Sequence, residues 1–184
     1  MAVYIEQTPD QVKRSFSVQR RAEIIDVRLC RAFIESDSRA RDFEEITVSL
    51  GHKSTSVSVE DGLLRTEIEF ALTAVPENDE SIKVLSLQCE FRVTYQLEKG
   101  YEPTPEEANA FSAANAIFNA WPYFRELTQN LSARMSLPSS PVIPFLKLVP
   151  KKEEKDQHDE AEAASNTPPL QPSKRTRRKP PAQG

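Results

Sequence analysis

The chain reads as an α+β protein, a four-stranded antiparallel sheet covered by two C-terminal helices. Three observations carry this reading. From Leu85 to Leu97, seven successive odd positions are apolar, while Ser86, Gln88, Glu90, Arg92, Thr94 and Gln96 fill the even ones. Side chains alternate across a sheet, so a strict period of two over that length belongs to a strand. A second alternation, Ile68, Phe70, Leu72 and Ala74 against Glu67 and Glu69, follows Asp61-Gly62, whose Gly accepts the positive φ of a tight antiparallel turn. Finally, Thr104-Pro105-Glu106-Glu107 sets an N-cap hydroxyl, a first-turn Pro and a capping-box Glu at a helix start.

The remaining elements fall around these. Residues 8–22 place Val12, Phe16 and Gln19 at helical spacing among basic residues, which predicts a short helix or an irregular arm. From Ala22 the period changes, with Ile25, Val27, Leu29 and Phe33 on odd positions, and a half-buried first strand is expected. Ser36 to Glu45 is a polar connection with one aromatic, Phe43, before a second strand through Ile46, Val48 and Leu50 that continues over Val57 and Val59. Pro76 to Glu80 separates the third strand from the fourth.

The helix that starts at Thr104 offers Ala110, Ala113, Ala114 and Ile117 as a small-residue face; close packing against another helix and simple helix propensity both account for it. Pro122 is expected to restart the chain in a second helix, because the residue before a proline is pushed out of helical geometry. On that helix Phe124, Leu127 or Thr128, Leu131 and Met135 form a stripe that fits either a core face or a partner surface. After Leu137 an apolar run, Val142, Ile143, Phe145, Leu146, Leu148 and Val149, is studded with Pro138, Pro141, Pro144 and Pro150. Proline at that density excludes an ordinary helix or a central strand, so this run is expected extended at an edge or over a groove. The domain reading is an arm at 1–21, a folded domain at 22–150 and a disordered, charged tail at 151–184, in which Leu170 is the one large aliphatic residue.

Composition removes several classes of function. Of the net charge of −4, the tail is basic and the remaining residues carry −6, so nucleic acid is not the expected partner; the basic cluster Lys174 to Lys179 reads as a solvated tail. Two His, His52 and His158, and four isolated Gly supply neither a metal pair, a nucleophile relay nor a phosphate-cradling loop. No catalytic residue, metal or cofactor is expected. Cys30 and Cys89 lie in strand-like runs without a metal or redox spacing and are expected as buried, reduced thiols. No apolar run resembles a signal peptide or a membrane span, so a cytoplasmic protein is expected.

A four-stranded meander, a helix, and then Trp121-Pro122-Tyr123-x-Arg125-Glu126 opening a further helix that ends at Arg134, Leu137 and Pro138 resembles the SecB family of export chaperones. The resemblance spans about residues 22 to 148, and the Thr-Pro-Glu-Glu helix start and long tail are more similar to the divergent SecB-like chaperones encoded with toxin–antitoxin pairs. It implies a homotetramer, a dimer of dimers with the helix face Ala110, Ala113, Ala114 and Ile117 between subunits. It also implies a fuel-free holdase whose apolar grooves take unfolded preproteins or an antitoxin client. Phe43, Leu127, Leu131, Met135, Val142, Ile143, Phe145 and Leu146 are the groove residues to expect. In the export chaperone, the motor ATPase SecA meets an acidic sheet face marked by Glu-Val-x-x-x-Gly; here the last strand has no Gly, and Arg92 sits beside Glu90. Glu67, Glu69 and Glu90 are what remains of such a face. That departure weighs against SecA and toward a client-dedicated chaperone. A non-catalytic adaptor that docks one folded partner is the alternative.

Overall fold

In the computed structural model, residues 2–43, 45–137 and 141–151 are described. The elements are β1 (Ala2–Gln7), α1 (Pro9–Gln19), β2 (Ala22–Glu35), β3 (Ile46–Glu60), β4 (Leu63–Pro76), β5 (Leu85–Leu97), α2 (Pro105–Phe111), α3 (Ile117–Arg134) and β6 (Phe145–Pro150). Strands β2 to β5 form one antiparallel sheet in the order β2-β5-β4-β3. The hairpin between β3 and β4 closes on Asp61 and Gly62, with φ of 53° and 73°, the positive pair that a two-residue primed turn requires. Because β2 and β3 lie on opposite edges, the connection between them crosses the end of the sheet, and it includes a 3₁₀ turn at Ser38–Asp42 capped by Asp37.

The capping box at Thr104 forms, with Thr104 and Glu107 exchanging backbone and side-chain bonds. Beyond this cap the chain departs from the two helices expected. α2, a wide π turn at Ser112–Ala116 and α3 run on as one C-terminal helix of about 30 residues, with Pro122 inside it. A proline in a helix interior costs about 3 kcal/mol, through a missing amide and a clash with the carbonyl four residues back. Here the ring and Phe118, whose carbonyl loses its donor, are both exposed, so water can serve that carbonyl. Trp121 and Phe124, on either side, are buried. Phe70 on β4 stacks on Phe124 with centroids 4.7 Å apart and meets Trp121 edge-on at 5.7 Å and Phe91 at 6.0 Å. Such pairs add about 0.5–1.5 kcal/mol each beyond their area; the two that Phe70 makes with Trp121 and Phe124 hold the helix on the sheet and offset much of the cost of the proline.

Two further departures concern the edges. β2 forms, but its alternation breaks at two bulges, beside Ile25 and Cys30, so the expected odd-position face is split. The long helix packs on β3, β4 and β5, leaving β2 largely exposed rather than half-buried. In the N-terminal arm the short helix, one of the two expected alternatives, forms as α1 with its own capping box at Thr8 and Gln11; the departure is β1, which pairs in parallel with β6 as a separate two-stranded ribbon. α1 lies against α2, burying Ser15 and Val18, with the Ser15 hydroxyl donating to Asn115 Oδ1 at 2.7 Å.

The aromatic cluster yields a prediction. Phe124→Ala should lower unfolding free energy by about 3–5 kcal/mol, whereas Pro122→Ala should leave it unchanged or raise it, because it restores an amide on an exposed helix face. Urea unfolding followed by circular dichroism measures both.

Candidate apolar binding surface

The outer face of the main sheet is polar, and its charges are paired across strands. Lys53 on β3 meets Glu69 on β4 at 3.1 Å, Glu67 on β4 meets Arg92 on β5, and Glu90 on β5 meets Arg31 on β2 at 2.7 Å. Each pair joins residues directly opposite in the strand register, where opposite charges attract most. Glu67, Glu69 and Glu90 therefore do not form the acidic face expected from the sequence. Each has a cation of its own, and the hydrogen bond that Arg31 donates to Glu90 raises the pKa of Arg31. Reading strands one at a time missed this, because pairing depends on register.

Apolar surface lies elsewhere. On β2, Ile24, Leu29 and Ile34 stand opposite Tyr95, Phe91 and Leu87, all three buried in the core, yet they are exposed, because among the described residues the long helix packs on β3, β4 and β5 and not on that edge. Phe33, on the other face of β2, is also exposed. A second group of exposed apolar side chains lies on the N-terminal arm and on the segment from Pro141: Tyr4, Val12, Phe16, Val142, Phe145 and Leu148. Of these, Val12, Phe16 and Leu148 line a groove between α1 and β6 together with Val149, Gln7, Gln19 and Asn115. Isolated apolar side chains at a surface are ordinary, but contiguous ones mark interaction sites.

The groove residues expected from the sequence separate into three situations. Leu127, Leu131 and Met135 are half-buried against the core, as is Phe43. Met135 also lines a cleft with Leu137, Ala40 and the Ser36–Ser38 end of the crossing connection, so the helix end and that connection do share a site. In the tail, Ile143 and Leu146 are 3% and 7% exposed, while Val142 and Phe145 between and beside them are 83% and 69% exposed. Of the small-residue face, Ala110, Ala114 and Ile117 are buried within the chain's own core and cannot also face a second subunit; Ala113 is exposed. The family-motif residues divide likewise. Trp121 is core, Pro122, Tyr123 and Glu126 are at the surface, and Arg125 lies under Phe145, its guanidinium 5.0 Å from the ring centroid. Pro138 and the basic cluster Lys174 to Lys179 lie outside the described residues, as does all of the tail beyond Lys151.

The tail's anchor was not legible. The Trp121 indole N–H donates to the carbonyl of Pro144 at 3.0 Å, and the Lys151 amide donates to the carbonyl of Gln7 at 2.7 Å. The β-branched Val3 and Ile5 at alternate positions, with Tyr4 between them and Glu6 after, were the signal available for β1. Among the described residues, no three His, Cys, Asp or Glu gather as a metal group, and no helix is long and apolar enough to cross a membrane. His52 lies edge-on to Trp121, and burial lowers its pKa.

The two thiols differ from expectation in one case: Cys89 is buried, Cys30 is exposed on β2, and both are free. Burial pushes Cys89 up to about 12 from 9.0, and burial likewise raises Tyr95 despite its bond from Asn119. An unfolded chain gives up both protons at ordinary pKa values while the folded chain holds them, so stability falls as pH rises above about 9. Thermal unfolding should show this loss between pH 9 and 11, and it should shrink in Cys89→Ala; a thiol reagent at pH 8 should modify Cys30 and leave Cys89 untouched until the chain unfolds.

No protein-family model matches the chain, and no curated protein matches it. Among solved structures it is similar to the SecB-like chaperone of Mycobacterium tuberculosis in complex with a ChAD peptide from an antitoxin. The two are 25% identical with a TM-score of 0.61, over 73% of this chain and 97% of that one. A Streptococcus agalactiae protein of unknown function aligns over 67% of this chain and 97% of its own, at 5% identity and a TM-score of 0.40, too distant to carry an argument.

Proposed function

We propose, from the premise that the chain is a divergent SecB-like family member, that it is an ATP-independent holdase. It would bind non-native polypeptides through apolar surface and perform no catalysis. The observation that carries this reading is the likeness to a chaperone held with an antitoxin peptide, which supports a chaperone role. Apolar residues left uncovered on β2, on the arm and on the tail give the reading its physical means: several weak apolar contacts along one chain give avidity without sequence specificity. Release then needs no fuel, since folding or transfer of the client removes the apolar segment.

The client class we favour is an aggregation-prone antitoxin over an export precursor. Pairing of Glu67, Glu69 and Glu90 with Arg92, Lys53 and Arg31 removes the free negative charge of the acidic sheet face by which the export chaperone meets SecA. We also infer a cytoplasmic homotetramer, a dimer of dimers. With Ala110, Ala114 and Ile117 taken up internally, its helical contact would fall to Ala113 and Phe118, both exposed and set one wide π turn apart.

The test is suppression of aggregation. At one chaperone tetramer per client, without nucleotide, the protein should slow light scattering by two unrelated unfolding proteins; protection of neither would sink the holdase reading. Phe118→Asp should lower the solution mass measured by light scattering, and a wild-type protein that is a strict monomer would refute the tetramer.

A further inference from the structure

We propose that the slot under residues 141–146 is a binding site for an extended apolar chain, which the protein's own C-terminal segment occupies as a displaceable strap. That the incoming chain is a client rests on the holdase reading; that the slot exchanges its occupant does not.

The strap defines what the slot accepts. Ile143 and Leu146, three residues apart, are buried in the same core as Trp121 and Phe124, while Val142 and Phe145 are exposed. The polar anchor at the slot floor is the Trp121 N–H on the carbonyl of Pro144. Every residue of every polypeptide carries such a carbonyl, so the anchor reads main chain and not sequence. The slot thus takes any extended segment that offers two large apolar side chains three positions apart and a carbonyl between them.

Two features show that the strap is an incomplete ligand. Arg125 beside the slot carries a buried Nε that finds no acceptor among the described residues, a position that a carbonyl or carboxylate of another chain would fill. Phe145 meets that guanidinium only through its ring. The backbone of the strap is also bonded only at its end: from Phe145 it runs as β6, which pairs with β1 and not with the main sheet. A parallel two-stranded ribbon is the weakest form of sheet. Peeling β6 from β1 opens the slot without breaking one bond of the four-stranded sheet.

Tyr4 and Lys147 are opposite one another in the ribbon and both exposed, so Tyr4→Cys with Lys147→Cys, in a Cys30→Ser background, permits a reversible lock. The probe is a fluorescein-labelled peptide with the sequence of residues 141–150, read by anisotropy against the full chain. The reduced protein should bind the probe at least fivefold more tightly than the oxidised protein. Ile143→Ser with Leu146→Ser in the chain should tighten binding by at least fivefold over the unmodified chain. The same two changes placed in the peptide should abolish it. Binding that is equal in the oxidised and reduced forms overturns the proposal, as does no gain in the strap variant when its thermal transition remains cooperative. Probe exchange with no protection of unfolding proteins would support the slot and refute the holdase reading; protection with lock-insensitive probe binding would do the reverse.

Discussion

Phe70 is the side chain on which the rest of this structure depends. It sits at the middle of β4, touches Phe91 on the neighbouring strand, and receives Trp121 and Phe124 from the long helix. Sheet and helix therefore share one aromatic contact that sets where the helix lies across the strands. Because Trp121 is fixed there, its indole N–H is fixed too, and with it the path of the chain after Pro141. The interior of the domain and the geometry of its surface slot are consequences of the same packing.

The parts legible in the sequence were those whose signals are local. β4 and β5 each carry a buried face and a polar face, so their period is visible in a few residues. The Thr104 cap and the Asp61-Gly62 turn are likewise complete within four residues. What was not legible depends on partners far away in the chain. Nothing near Pro122 indicates that Phe70 will hold both of its flanks, and without that the expectation of a second helix was sound. β2 looked half-buried because apolar residues normally seek cover; whether a helix reaches an edge strand is decided by the crossing of the helix, not by the strand. The charge pairs on the outer face depend on register, and the Ala face was claimed from inside by the chain's own core.

Of the candidate site, the tail residues were found as a group, yet their division was not. A proline-rich apolar run announces an extended segment, but which of its side chains turn inward is set by Trp121 and by the pairing with β1. The outcome is a surface whose polar face is neutral by internal pairing and whose apolar area is displaced to two places, an uncovered edge and a ribbon-and-strap. Charged and apolar surface are thereby separated on the molecule.

The ribbon joins residues 2–7 to residues 145–150, almost the full length of the described chain. During synthesis at roughly 5–20 residues per second, the first strand waits about 7–30 s for its partner to leave the ribosome. Until then its apolar side chains, and the groove beside α1, have nothing of their own to rest on. The nascent protein is in that interval a chain of the kind it is proposed to protect, because the pairing between its beginning and its end cannot form until residues 145–150 have been made. Contacts of such long separation are the slowest to form, so newly made molecules pass through a stage in which the strap is not yet seated. A fresh copy would pass through an open slot before its own strap first competes for it, so under the strap proposal the slot of a newly made molecule meets other chains without that competitor.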